Sequence, residues 1–121
     1  MSNLVRIENL TKDFQRGNEL VQVLQSLDLD IPQGDFLALM GPSGSGKSTL
    51  LNLIGGLDRA TSGLIEVAGN DINQLDEAEL GRWRAENVGF VFQMYNLLPT
   101  LTAQKNVELP LLLTHLSSQE R

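Results

Sequence analysis

The 121-residue chain has no cysteine. That removes disulfides and thiolate metal sites, and suits a reducing compartment without proving one. A single histidine is present, which argues equally against a histidine-rich metal site. Basic residues are in deficit, with 9 Lys and Arg against 15 Asp and Glu and a formal net charge of −6. A general nucleic-acid binder needs a basic face to displace counterions from phosphate. Arg82 and Arg84 beside Trp83 are too few to form one, so no nucleic-acid partner is expected. One phosphate-bearing ligand remains possible, because it needs only a local site. No apolar run approaches the roughly 20 residues of a membrane-spanning helix. The opening MSNLVRIENLTKDF also lacks the basic start and apolar stretch of a signal peptide. A soluble, cytoplasmic protein is the expectation.

No internal repeat, low-complexity tract or long linker interrupts the chain. Leu4 to Leu10 alternates in part, with Val5 and Ile7 on one side and Arg6 and Glu8 on the other, as a half-exposed strand does. Arg16-Gly17-Asn18-Glu19 reads as a turn. Leu20 to Leu24 follows as a second strand, and Leu27, Leu29 and Ile31 alternate with Asp28 and Asp30 as a third. Residues 1–35 therefore predict an antiparallel meander with one wet face. At Phe36 the character changes. Phe36-Leu37-Ala38-Leu39-Met40 is apolar without alternation, the pattern of a strand buried on both faces. A glycine-rich loop comes next, then an apolar helical stripe of Leu50, Leu51, Leu53 and Ile54 that Gly55-Gly56 ends.

Gly63 to Ala68 alternates as a further strand, with a turn at Gly69-Asn70. Asp76 and Glu79 form a capping-box pattern, and Leu75 with Leu80 a hydrophobic staple, so a helix is predicted to start at Asp76. Val88 to Phe92 reads as another buried strand. Gln93 to Leu101 reads as a loop, and Thr102 as the cap of a last helix that Pro110 interrupts.

The strongest signal is Gly41-Pro42-Ser43-Gly44-Ser45-Gly46-Lys47-Ser48-Thr49, which satisfies G-x-x-x-x-G-K-[ST]. Glycines let the backbone curl until successive amide N–H groups aim at phosphate oxygens. The following helix adds the positive end of its dipole and its unpaired first-turn donors. Lys47 supplies a full charge for the β- and γ-phosphates, and Ser48 a hydroxyl for Mg²⁺. Chance gives roughly three matches per thousand sequences of this composition. The motif also lies between an expected buried strand and an amphipathic helix, the context it requires.

Phosphate loops serve many enzymes, so the motif alone establishes nucleotide binding and little more. The surroundings narrow it. IENLTKDF, DLDIPQGDFLALMGPSGSGKSTLLNLIGGL, TSGLIEVAGNDI and VGFVFQMYNLLPTLTAQKNVELPLLL together resemble the N-terminal half of the ATP-binding subunits of ABC transporters, over essentially all 121 residues. The last segment looks most like the branch serving lipoprotein release and macrolide export. The resemblance implies an α/β fold of the P-loop NTPase type, with the antiparallel β region at 1–35 and a partial RecA-like core at 36–121. It implies ATP and Mg²⁺ as cofactors. The partners it implies are a membrane-spanning permease and a second ATPase subunit, which would place the chain on the cytoplasmic face of the inner membrane.

It also implies further site residues. Phe14 falls where the family places an aromatic that stacks on adenine. Tyrosine is commoner there, but stacking needs only the ring face. Read alone, Phe14 is more often a core residue. Gln93 matches the family's Q-loop glutamine, whose amide oxygen can reach Mg²⁺ or its water; read alone, it is an ordinary polar residue at a strand end. Tyr95, Asn96 and Leu97 fall in the same loop. His115 reads as surface or helix-end packing, and Trp83, three residues after Leu80, as core or partner contact. Ala60 stands where the family often has proline.

The family's signature motif LSGGQ, its Walker B Asp-Glu and its switch histidine do not follow Gln93 within these residues. Water attack on a phosphoryl group needs an oriented nucleophile, so the expectation is a truncated ATPase that binds ATP weakly and does not turn it over alone. The alternative is a short non-catalytic module that binds nucleotide or docks on a transporter. A small-molecule kinase fits less well, since three strands precede Gly41 and no acceptor-site arginine cluster is visible.

Overall fold

The computed structural model describes residues 2–121. It divides into two compact units, one extending to Phe90 and the other Val91–Arg121.

The first unit is built on an antiparallel hairpin, β1 (Asn3–Arg16) and β2 (Glu19–Pro32), closed at Gly17 with φ 58°. The three short strands expected here are two long ones. Polar residues that break the alternation are absorbed by bulges, where the register shifts between Ile7 and Leu10 and between Leu10 and Lys12. Asn9 and Ser26 take positive φ at these points. Side chains bond the displaced amides: Asn9 N donates to Asp28 Oδ1 at 2.7 Å, and Ser26 N to Thr11 Oγ1 at 3.3 Å.

β3 (Ser62–Val67) pairs antiparallel with the other edge of β1, matching Val5 with Val67 and Ile7 with Ile65. A short β4 (Asn70–Asp71) completes the order β2-β1-β3-β4. The antiparallel sheet thus recruits residues well beyond position 35. Val5, Ile7, Ile65 and Val67 point into a core shared with Leu50, Leu53, Leu80 and Trp83. Burying such aliphatic side chains is worth about 1.5–3 kcal/mol each.

Helix α1 (Lys47–Ile54) buries Leu50 and Leu53 and leaves Leu51 outside. Gly55 ends it beneath the ring of Phe90. Helix α2 (Glu77–Asn87) starts as the sequence predicts: Glu79 N donates to Asp76 Oδ1 at 2.8 Å, and Glu79 Oε1 accepts from Asp76 N at 3.5 Å. Leu80 is buried and Leu75 packs against the same cluster, forming the staple.

The two apolar segments expected as buried strands, 36–40 and 88–92, are not strands. Phe36 is 96% exposed, Met40 91% and Val91 102%. Only Leu39, Val88 and Phe90 retain partial cover. A strand buried on both faces needs neighbouring strands on either side, and the four strands of the described residues pair with one another, in the order β2-β1-β3-β4, without either segment. Among the described residues these two segments form no strand, while the antiparallel sheet and the helices are formed.

In the second unit, α3 (Ala103–Glu108) is capped by Thr102, whose Oγ1 accepts from Lys105 N at 3.1 Å. Pro110 converts the continuation into a 3-10 turn, Leu109–Leu113, as its missing N–H requires. Asn106 holds the preceding loop: its Oδ1 accepts from Leu98 N at 2.8 Å, and its Nδ2 donates to Thr102 O at 2.9 Å.

Candidate nucleotide-binding site

The loop from Gly41 to Gly46 turns twice through conformations that favour glycine, with φ 82° at Gly44 and 96° at Gly46. Ser45 N donates to Pro42 O at 3.2 Å, closing the first turn. Gly46 is the N-cap of α1 and has no side chain to offer the first-turn amides. A serine or aspartate there would occupy those donors; glycine leaves them to a ligand. Lys47 folds back over its own loop, its ammonium donating to Gly41 O and, at 3.1 Å, to Pro42 O. These carbonyls hold the charge at the mouth of the loop, where a phosphate oxygen could replace them. Ser48 is exposed in the first turn and Thr49 half-buried. Among the described residues the α1 N-cap offers its first-turn donors no side-chain acceptor, and together with a cation held by replaceable carbonyls this fits a phosphate group.

The loop leans on β2. A Cβ on Gly46 would lie 3.0 Å from Leu24 Cδ2 and 3.4 Å from Val23 O. Phe14 is anchored close by, since its β-partner is Val21, two residues from Val23 on the same strand. Two strand residues span roughly 6–7 Å. The structure therefore ties the phosphate loop and the candidate base platform to neighbouring positions of one strand.

Phe14 is 37% exposed, and the Lys12 ammonium stands 4.8 Å from its ring centroid. Lys12 also donates to Asp58 Oδ1 at 3.2 Å and to Arg59 O at 2.7 Å. None of Lys12, Asp58 and Arg59 was legible as part of the site. The one available signal was the i, i+2 spacing of Lys12 and Phe14, which puts both on one face of β1.

Gln93 lies in the second unit, exposed in the loop that precedes α3. Tyr95, at 86% exposure, and Leu97 share that loop, and Asn96 has φ 53°. His115 is exposed and Trp83 is core, as their ordinary readings require. Arg84 donates to Gly56 O at 2.7 Å, a structural role. The second unit also carries an apolar pocket of about 400 Å³ between Leu97, Leu98, Pro99, Leu101 and Val107, which the sequence did not announce.

The family model described as "ABC transporter" matches residues 24–121. The chain belongs to the ABC transporter ATP-binding family. An ABC transporter ATP-binding protein of Bacillus subtilis, YknY, is 48% identical over 118 residues, covering 98% of this chain and 51% of that protein. The macrolide export ATP-binding/permease protein MacB of Shigella sonnei is 46% identical and covers all of this chain, which spans 19% of MacB. The ATP-binding cassette MJ0796 of Methanocaldococcus jannaschii is 45% identical. Its dimeric post-hydrolysis structure, bound to ADP and Pi, superposes with a TM-score of 0.89 over 96% of this chain and 51% of that one. The chain thus spans about half the length of YknY and MJ0796, and the likeness confirms the ABC cassette fold class expected from the motifs.

Proposed function

We propose that residues 1–121 form the nucleotide-holding part of an ABC transporter ATPase that binds Mg-ATP. The phosphates lie on Gly41 to Thr49, Lys47 supplies the charge, and Ser48 provides a hydroxyl for Mg²⁺. The base stacks on Phe14, and Gln93 contributes its amide oxygen to the metal or its water. The observation that carries this reading is Gly46, a capless helix start preceded by a curled loop and followed by a lysine that donates to the carbonyls of Gly41 and Pro42. Ser48 and Gln93 are the residues that would hold Mg²⁺, which would supply positive charge against the phosphates; the chain's own part is to bind and orient them.

In the whole protein, hydrolysis would drive export or cell-envelope work in a dimer of ATPase subunits. The apolar pocket beside Leu97 and Val107, on the loop that follows Gln93, supports a permease partner there. That partner would hold the chain at the cytoplasmic face of the inner membrane. No helix among the described residues is long and apolar enough to cross a membrane. For these 121 residues alone we expect binding without appreciable turnover; robust hydrolysis that Lys47→Ala abolishes would contradict this. Calorimetric titration of Ser48→Ala tests the metal assignment. Mg²⁺ should tighten ATP binding in the wild type and much less in the variant, and equal Mg²⁺ dependence would reject it.

A further inference from the structure

Lysine is rarely buried without partners, because removing an ammonium from water is costly unless its hydrogen-bonding capacity is met. The Lys12 side chain is only 12% exposed. Two of its three donors go to Asp58 Oδ1 and Arg59 O. The remaining side of the ammonium faces the Phe14 ring, 4.8 Å from its centroid. Asp58, whose side chain is 40% exposed, is only partly desolvated. The ring face therefore completes the cation's surroundings through its quadrupole.

The oxygens that hold Lys12 are themselves fixed. Asp58 Oδ1 accepts from Arg59 N at 2.8 Å. The Arg59 guanidinium donates to Leu75 O at 2.7 Å and Asn73 O at 3.2 Å, just before α2. This places the ammonium on a framework reaching from the segment after α1 to the start of α2. One face of Phe14 is committed to it, and at 37% exposure the ring keeps open surface for a second partner.

We propose that Lys12 is a positioning residue: it fixes the Phe14 ring with one face covered, leaving the other as the platform for the nucleotide base. This rests on the reading of Phe14 as the base-stacking residue and adds the group that orients it. A plain staple between β1 and the 58–59 segment would affect every ligand of the loop alike. A positioning residue affects only ligands that carry a base.

The test is calorimetric titration of the full chain with Mg-ATP and, separately, with Mg-tripolyphosphate. Lys12→Met is expected to weaken ATP about fivefold, in the range of a partly desolvated cation–π contact, and to leave tripolyphosphate unchanged. Lys12→Arg, which keeps a cation over the ring, should restore ATP binding. In a Phe14→Ala background, Lys12→Met should cost nothing further. Equal loss for both ligands, a further loss without the ring, or no loss at all overturns the proposal. If Phe14→Ala weakens ATP while Lys12→Met does not, only the role of Lys12 falls. If Phe14→Ala leaves ATP unchanged, or the wild type binds no nucleotide, the base-platform reading falls with it. Should Lys12→Met not fold, proton NMR of the wild type decides the geometry. The Lys12 ε-methylene signals must be shifted upfield by the ring and must return toward ordinary values in Phe14→Leu. An unshifted signal overturns the proposal.

Discussion

Leu24 and Gly46 pack tightly together: a β-carbon built on Gly46 would lie 3.0 Å from Leu24 Cδ2, close enough that the leucine would have to give way. The contact sets the start of α1 against β2, so the phosphate loop is carried by the same strand that faces Phe14.

Gly46→Ala is therefore doubly disfavoured, by crowding against Leu24 and by a φ of 96° that L-residues rarely adopt. Strain of this kind costs about 1–3 kcal/mol. The expected outcome is a lower urea midpoint together with loss of ATP binding. A variant of unchanged stability that still binds would show that the loop is not held as described.

Gly63 marks a second close approach, at the bulge of β1. It has φ 100°, and a Cβ there would overlap Asn9 O and lie 2.7 Å from Leu10 Cα, both backbone atoms that cannot swing aside. Gly63→Ala should destabilise the first unit by about 3 kcal/mol or more. Chemical denaturation followed by Trp83 fluorescence checks this.

These two glycines show where sequence reading succeeds and where it stops. GPSGSGKST, the Asp76–Glu79 box and the Thr102 cap were legible because each motif is completed within a few residues. The long β1 and β2 were not, because bulges at Asn9 and Ser26 absorb polar residues that break the alternation. The run from Phe36 to Met40 has the pattern of a buried strand, but burial depends on neighbours that the pattern cannot supply. Lys12 was missed because its oxygen partners lie 46 and 47 residues away.

The N-cap of α2 gives a pH dependence with a definite sign. The Glu79 amide bonded to Asp76, with a smaller contribution from the Glu79 side chain, holds the Asp76 carboxyl below its ordinary value. A carboxyl depressed in the folded state stabilises fully above its unfolded pKa, and that stabilisation fades as pH falls through the lower folded value. Acidification through the carboxylate range should loosen the first turn of α2, seen as faster relative exchange or a shifted signal for the Glu79 amide. Asp76→Asn, which keeps an oxygen acceptor, should lose this response. Identical acid behaviour of the two proteins would contradict the assignment.

Hydrogen exchange by mass spectrometry should separate the formed sheet from the exposed apolar segment. Amides of β1 opposite β3 should be protected, while those of 36–40, which join no strand ladder among the described residues, should exchange orders of magnitude faster. Firm protection of 36–40 in a monomer would mean that this segment has found strand neighbours.

If Lys47 and its loop hold the phosphates of Mg-ATP, titrating the nucleotide against the wild type and Lys47→Ala must separate the two proteins. Removing a charged donor from a phosphate contact costs about 1.5–3 kcal/mol, so the wild type should bind Mg-ATP saturably and a folded Lys47→Ala variant at least tenfold more weakly. Equal binding by the two proteins, or none by either, would contradict it.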